Sequence, residues 1–265
     1  VTDALFIDDE GDGAAVVLLH AFPCDSRMWA PQTEALRAAG FRVLVPDLPG
    51  FGRSVLLDDG PSLVRVADSI LRGVESRGVV RFVLGGVSLG GYVAMAMVAS
   101  RPELVLGLAL CDTKATDDSG AARESRERLA QLCLAAPDET TRILEQAVLP
   151  GLLGDTTRAG RPSVVADVRS WLSEARPESV AWYERAMAAR PDSREALARV
   201  ATPSVVVWGG EDALSPREEQ DLMLASLLDA KLVVVEQAGH LANVERPDAV
   251  TAALLDLLTR VRPPS

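Results

Sequence analysis

Gly86-Val87-Ser88-Leu89-Gly90 sets a serine between two glycines, after the apolar run 82–85 and before a small, apolar stretch over 89–100. In a sharp strand-to-helix turn the residues two before and two after the serine pack against each other, so both must be small. Such a turn strains the serine backbone, lifts its hydroxyl above the sheet edge and aims the next N–H, that of Leu89, toward an oxyanion. The competing reading is a glycine-rich turn with an ordinary serine; the flanking strand, helix, Gly85 and Gly91 favour a nucleophile. A serine at its ordinary pKa needs a base within hydrogen-bond reach. The chain has two histidines, His20 and His240, each in a segment that follows an apolar run. With the nucleophile on a strand-to-helix elbow the order is serine, acid, histidine, which selects His240. The acid that fixes the imidazole tautomer then falls between them. Asp212, in Gly209-Gly210-Glu211-Asp212-Ala213-Leu214-Ser215-Pro216, leads; Glu211 beside it and Asp112, at the end of another strand, are the alternatives.

These residues need a scaffold. Runs rich in Val and Leu at 15–19, 41–45, 82–86, 105–110, 204–208 and 232–236 lack period-two alternation, as expected of parallel strands covered on both faces. The helical segments between them predict a doubly wound, mostly parallel α/β sheet with right-handed crossovers. Residues 89–100 are apolar almost all round, which predicts a helix buried against that sheet. Ser215-Pro216 with Glu218 predicts an N-cap, a proline at the first helical position and a capping box, opening a helix that runs to Asp229. Between 115 and 200 no strand-like run occurs, and helical stretches are separated by Pro137, Pro150-Gly151, Pro162 and Pro177. The predicted organisation is an α/β core over 1–114 and 201–265 with a helical cap over 115–200. Within the cap Val164, Val165, Val168, Trp171 and Leu172 form a helical stripe, and Val180, Tyr183 and Met187 a similar one. Trp171, Trp182 and Tyr183 either pack the insertion together or line a pocket over the sheet; the second reading assigns them to substrate binding.

At 265 residues, 48% hydrophobic and 25% charged, the chain has the composition of a globular α/β protein, which excludes wholesale disorder. Its net charge of −11 argues against nucleic acid and anionic lipid as partners. The longest apolar runs, 14–19 and 93–99, fall far short of the roughly 20 residues that cross a bilayer. Val1-Thr2-Asp3-Ala4 lacks the basic start of a secretory signal, so the expected location is the cytoplasm. Cys24, Cys111 and Cys133 are widely spaced, with no Cys-x-x-Cys pair, and read as reduced thiols, neither a disulfide framework nor a metal site. No metal or cofactor is expected. Nothing in the pattern selects an oligomeric state.

Five segments together resemble the α/β-hydrolase superfamily over essentially the whole chain: His20-Ala21-Phe22-Pro23, Asp47-Leu48-Pro49-Gly50-Phe51-Gly52-Arg53-Ser54, the serine elbow, 209–216 and Gly239-His240. The resemblance implies a second oxyanion donor at the backbone N–H of Phe22 and a structural role for His20. Ala21 stands where that family usually has glycine. Val87 before the serine, His-x-Phe-Pro followed by Ser26-Arg27-Met28-Trp29, and Cys111-Asp112-Thr113-Lys114 entering the cap are most similar to the 3-oxoadipate enol-lactonase-like hydrolases. The implied function is a serine hydrolase acting on a small ester or lactone through an acyl-enzyme on Ser88, with Lys114 or a cap arginine such as Arg123 or Arg126 holding a substrate carboxylate. The same constellation also supports C–C bond hydrolysis and cofactor-free perhydrolysis. A ligand receptor with a slow, vestigial triad is the alternative from another class.

Overall fold

The computed structural model describes residues 5–261. The leader reading rests on residues 1–4, which lie outside the described residues. Seven strands form one sheet in the order β1-β3-β2-β4-β5-β6-β7. They are β1 (Ile7–Glu10), β2 (Ala15–Leu19), β3 (Arg42–Pro46), β4 (Phe82–Val87), β5 (Val105–Cys111), β6 (Ser204–Gly209) and β7 (Ala230–Val235). All neighbours pair in parallel except β1 with β3. Every residue of β4 is buried, as its unbroken apolar run requires.

Strand β1 has no counterpart in the sequence reading. It reads Ile-Asp-Asp-Glu and buries only Ile7. As an edge strand it is held by backbone pairing and by Arg42, whose guanidinium donates to Asp9 at 2.7 Å. Nothing in its side chains announces a strand, and its acids fit the charged edge that discourages further pairing.

Helices α1 (Ala30–Ala38), α2 (Leu63–Glu75) and α3 (Leu89–Ser100) belong to the first half of the sheet. Between β5 and β6 the chain runs through α4 (Gly120–Ala135), α5 (Thr140–Ala147), α6 (Leu149–Leu152), α7 (Asp155–Gly160), α8 (Pro162–Glu174), α9 (Pro177–Ala188) and α10 (Arg194–Leu197), with no strand among them. Three of the prolines expected to separate helices in fact start them, lying in the first turns of α6, α8 and α9. Proline lacks only an N–H that the first turn leaves unpaired anyway.

The chain returns through α11 (Arg217–Ser226), α12 (Ala242–Glu245) and α13 (Pro247–Arg260). The capping box expected at Ser215 is absent. Pro216 is the N-cap of α11, which ends at Ser226 rather than Asp229. Both the N–H and the hydroxyl of Ser215 donate to Asp212 instead, because a buried carboxylate is the stronger acceptor. No described helix is long and apolar enough to cross a membrane.

Candidate active site

Parallel register brings the carboxyl ends of the central strands level: Leu19 lies beside Gly86, Val87 beside Cys111, and Cys111 beside Val207. The residues that follow, His20, Ser88, Asp112 and the 209–216 loop, therefore share one edge. Ser88 sits between β4 and α3 with φ 52° and ψ −113°, a conformation costly for a non-glycine residue. Its neighbours permit it. A Cβ on Gly86 would stand 2.3 Å from the Gly90 carbonyl oxygen, and one on Gly90 would stand 2.2 Å from that of Leu19. Thr113 Oγ1 donates to the Ser88 carbonyl at 2.8 Å, and the Ser88 N–H donates to Cys111 at 3.0 Å. The N–H of Leu89 is the first of α3, one of the donors a helix leaves without an internal acceptor.

His240 Nε2 lies 2.7 Å from Ser88 Oγ, and its Nδ1 lies 2.9 Å from Asp212 Oδ2. A carboxylate accepts only, so Nδ1 carries the hydrogen and Nε2 is left to accept from the serine hydroxyl. Asp212 also accepts from the N–H groups of Leu214 and Ser215 and from the Ser215 hydroxyl. Burial alone would push its carboxyl up; the His240 charge, then the hydrogen bonds from His240 and Ser215, outweigh burial and hold it below the usual carboxylate range.

Asp112 is fully buried nearby, and both its oxygens are already taken. Oδ1 accepts from the Gly209 N–H at 2.7 Å and Oδ2 from the Ala242 N–H at 3.1 Å. Burial, then the charge of Asp212, pushes its carboxyl well above the ordinary range. It ties the end of β6 to the segment after His240 and makes no hydrogen bond to the imidazole. Glu211 turns away as well, accepting from the Thr156 N–H and hydroxyl. The geometry thus brings Asp212, and neither alternative, to His240.

His20 is engaged elsewhere. Its Nδ1 donates to the Ala21 carbonyl at 2.9 Å and its Nε2 accepts from the Leu48 N–H at 2.8 Å. Burial lowers its pKa, keeping the ring neutral. The three cysteines are buried and free, and burial raises each thiol. Among the described residues no group of His, Cys, Asp or Glu is arranged to hold a metal.

Ser88 and His240 open into a cavity of about 510 Å³ shared with Phe22, Lys114, Arg126 and Leu214. Lys114 makes no ion pair among the described residues. Arg126 is held by Asp118 and Glu184, and Arg123 pairs with Asp117 on the surface. Trp171, Trp182 and Tyr183 do not line this cavity, which corrects their assignment to substrate binding. Tyr183 is fully buried against Phe51 and Trp182, at 4.8 and 5.0 Å between ring centroids, and the Trp182 indole donates to the Asp59 carbonyl. Trp171 is buried within the insertion. Helical periodicity marks which face is buried but not what it is buried against. The lining includes Tyr92 and Leu129, which the reading passed over, and Met187, which it placed only in a helical stripe. Tyr92 was discoverable: it stands four residues after Ser88 on the same helix face.

A second omission is Glu245. Fully buried, it accepts from the N–H groups of Gly154 (2.9 Å), Gly239 (2.8 Å) and Leu241 (3.3 Å), fastening the insertion to the two residues flanking His240. Burial still leaves its carboxyl raised.

Residues 16–253 match the family model described as the alpha/beta hydrolase family. The chain belongs to that family. Among solved structures, this alpha/beta hydrolase is similar to a malate-bound thermophilic esterase from Thermogutta terrifontis, 37% identical with TM-score 0.92, covering 98% of this chain and 94% of that one. It is also similar to the enol-lactonase from Burkholderia xenovorans LB400, 27% identical with TM-score 0.87 and 96% coverage of each chain. A curated relative, the 2-hydroxy-6-oxononadienedioate/2-hydroxy-6-oxononatrienedioate hydrolase of Klebsiella pneumoniae, is 27% identical, covering 97% of this alpha/beta hydrolase and 91% of the relative.

Proposed function

We propose that this protein is a serine hydrolase of small carboxylic esters or lactones. The observation that carries the reading is the unbroken hydrogen-bond chain Ser88–His240–Asp212 at the floor of a 510 Å³ cavity. Ser88 Oγ attacks the substrate carbonyl while His240 Nε2 takes its proton, and Asp212 stabilises the imidazolium. The N–H groups of Leu89 and Phe22 stabilise the tetrahedral oxyanion. His240 returns the proton to the leaving oxygen. Water, deprotonated by His240, then releases the acid from Ser88. In a lactone the leaving oxygen stays attached to the acyl group, so one hydroxy acid is the product. Lys114 holds a substrate carboxylate, and residues 115–200 act as the cap that shields the acyl-enzyme.

The relatives support hydrolysis over a receptor role: the esterase and the enol-lactonase are named for hydrolytic reactions of the kind a serine–histidine–aspartate chain can carry out. The test is purified protein with p-nitrophenyl acetate and butanoate and a panel of lactones, beside Ser88→Ala. Turnover by the wild type and loss of all but a few per cent in a folded Ser88→Ala protein is the expected result. A wild type inert to every substrate, or a variant keeping its kcat, overturns the reading. Product analysis with hydrogen peroxide added to the ester assay, and separately with a vinylogous diketone acid as substrate, distinguishes perhydrolysis and C–C cleavage.

A further inference from the structure

A second cavity, of about 320 Å³, adjoins Tyr92, which also lines the first. One of its walls is a single face of α3, since Tyr92, Met95, Ala96, Ala99 and Ser100 follow the spacing i, i+3, i+4, i+7 and i+8. That face begins at the elbow: Ser88 precedes α3, and Tyr92 lies about 6 Å further along the axis, four residues at about 1.5 Å each. The lining also includes Ala186, Ala189 and Arg190 at the end of α9, the helix that gives Glu184 and Met187 to the first cavity. The two cavities thus share both helices, and Tyr92 belongs to the lining of both.

Tyr92 is braced. The Arg190 guanidinium lies over its ring, 4.1 Å from the centroid, where a cation and an aromatic face attract. Arg190 is fixed in turn by Asp118 at 2.8 Å and by the carbonyls of Thr116 and Met187, each at 2.9 Å. A buried ring pinned in this way is a stationary partition rather than a side chain free to swing.

We propose that Tyr92, braced by Arg190, is the wall that sets how long a substrate chain the Ser88 site accepts, and that the cavity behind it receives longer chains once the ring is removed. This rests on the serine-hydrolase reading. A chain leaving the scissile carbonyl along α3 meets the phenol after one helical turn. The adjoining cavity has an apolar part formed by Met95, Ala96, Ala99, Ala186 and Ala189, where each further buried methylene favours binding by about fourfold.

The test compares wild type, Tyr92→Ala and the milder Tyr92→Leu on p-nitrophenyl esters of C2 to C10 acids and on acetate esters of C2 to C10 alcohols. The expected result is a rise of at least tenfold in the C8-to-C4 ratio of kcat/KM for Tyr92→Ala in one series, with a smaller rise for Tyr92→Leu. Adding Ala96→Phe to Tyr92→Ala refills the rear cavity and returns the ratio to wild type, whereas Ala96→Phe alone leaves it unchanged. Unchanged ratios in both series for folded variants, or a double variant that keeps its long-chain preference, overturns the proposal. Calorimetric binding of octanoate and butanoate to Ser88→Ala, with and without Tyr92→Ala, needs no turnover. If no ester is cleaved the hydrolase reading fails, yet a selective gain in octanoate affinity still supports the wall, and equal gains for both acids overturn it.

Discussion

Asp212 and Asp112 are two buried carboxylates at the same sheet edge, and their hydrogen bonds give them different work. Asp212 faces the imidazole, so Asp212→Asn should lower kcat by about 10⁴-fold, as loss of the ionic partner does in serine proteases. Because its carboxyl is held below the usual range, Asp212 is ionised throughout pH 6–9, the window in which the two variants are compared. Asp112→Asn replaces one of two acceptors with an NH₂ facing a backbone N–H. It should cost about 1–3 kcal/mol of stability and far less in kcat. Chevron-free measurements suffice: urea midpoints and kcat for both variants. A large kcat loss at Asp112 with little at Asp212 reverses the roles. The choice between them was only half legible in the sequence, since chain order admits both and only the direction of each side chain separates them.

At the scale of elements, two carboxylates fasten the insertion to the loops that carry the acid and the histidine. Glu211, next to Asp212, holds Thr156; Glu245, after His240, holds Gly154 together with Gly239 and Leu241. The contact is close enough that a Cβ on Gly239 would stand 2.2 Å from the Gly154 nitrogen. Glu245→Gln keeps the shape but turns an NH₂ toward buried N–H donors, so about 1–3 kcal/mol of stability should be lost. Since those donors flank His240, kcat should also fall several-fold, while Glu211→Gln should do less. Thermal melts and kcat on p-nitrophenyl butanoate check this; a Glu245→Gln protein with wild-type kcat separates the fastening from catalysis. Sequence reading missed it because the partners are backbone N–H groups brought together only by folding.

For the molecule as a whole, charge is distributed unevenly. The chain carries −11 overall, yet Lys114, Arg126 and Arg128 line the Ser88 cavity against Asp118 and Glu184. Lys114→Ala should therefore raise KM roughly 10- to 150-fold for half-esters of dicarboxylic acids and leave neutral esters unchanged, since removing one charge-assisted hydrogen bond is worth about 1.5–3 kcal/mol. Equal effects on both substrate types remove Lys114 from carboxylate binding. Stability against pH follows from opposed groups. Burial pushes Asp47 up, but hydrogen bonds from Arg53 and Ser26 outweigh it and leave the carboxyl lowered. A lowered acid stabilises above its unfolded pKa and loses that contribution as pH falls through its folded value. Asp47→Asn should thus cost about 2 kcal/mol at pH 7, with the gap to wild type closing below about pH 4. Urea titrations at pH 7 and pH 3 test this, and a gap independent of pH contradicts it. Burial raises Asp112, Glu184 and Glu245, which act in the other direction, lowering stability as pH climbs from about 4 through their raised values.

The sequence by itself determined the parallel strands, the glycine-flanked turn around Ser88 and the chain order of Ser88, Asp212 and His240. Each depends on chain geometry within a few residues: an apolar run covered on both faces, or glycines where a Cβ would collide. The sequence put Asp212 ahead of Asp112, but only tertiary structure excluded Asp112, and it alone decided that Ser215 serves Asp212 instead of capping α11, that β1 pairs at an acidic edge, and that Tyr92 rather than Trp171, Trp182 or Tyr183 lines the cavity. Those outcomes depend on where the register of the sheet and the packing of the insertion bring distant segments together. Periodicity records that a face is buried, and it carries no information about the partner.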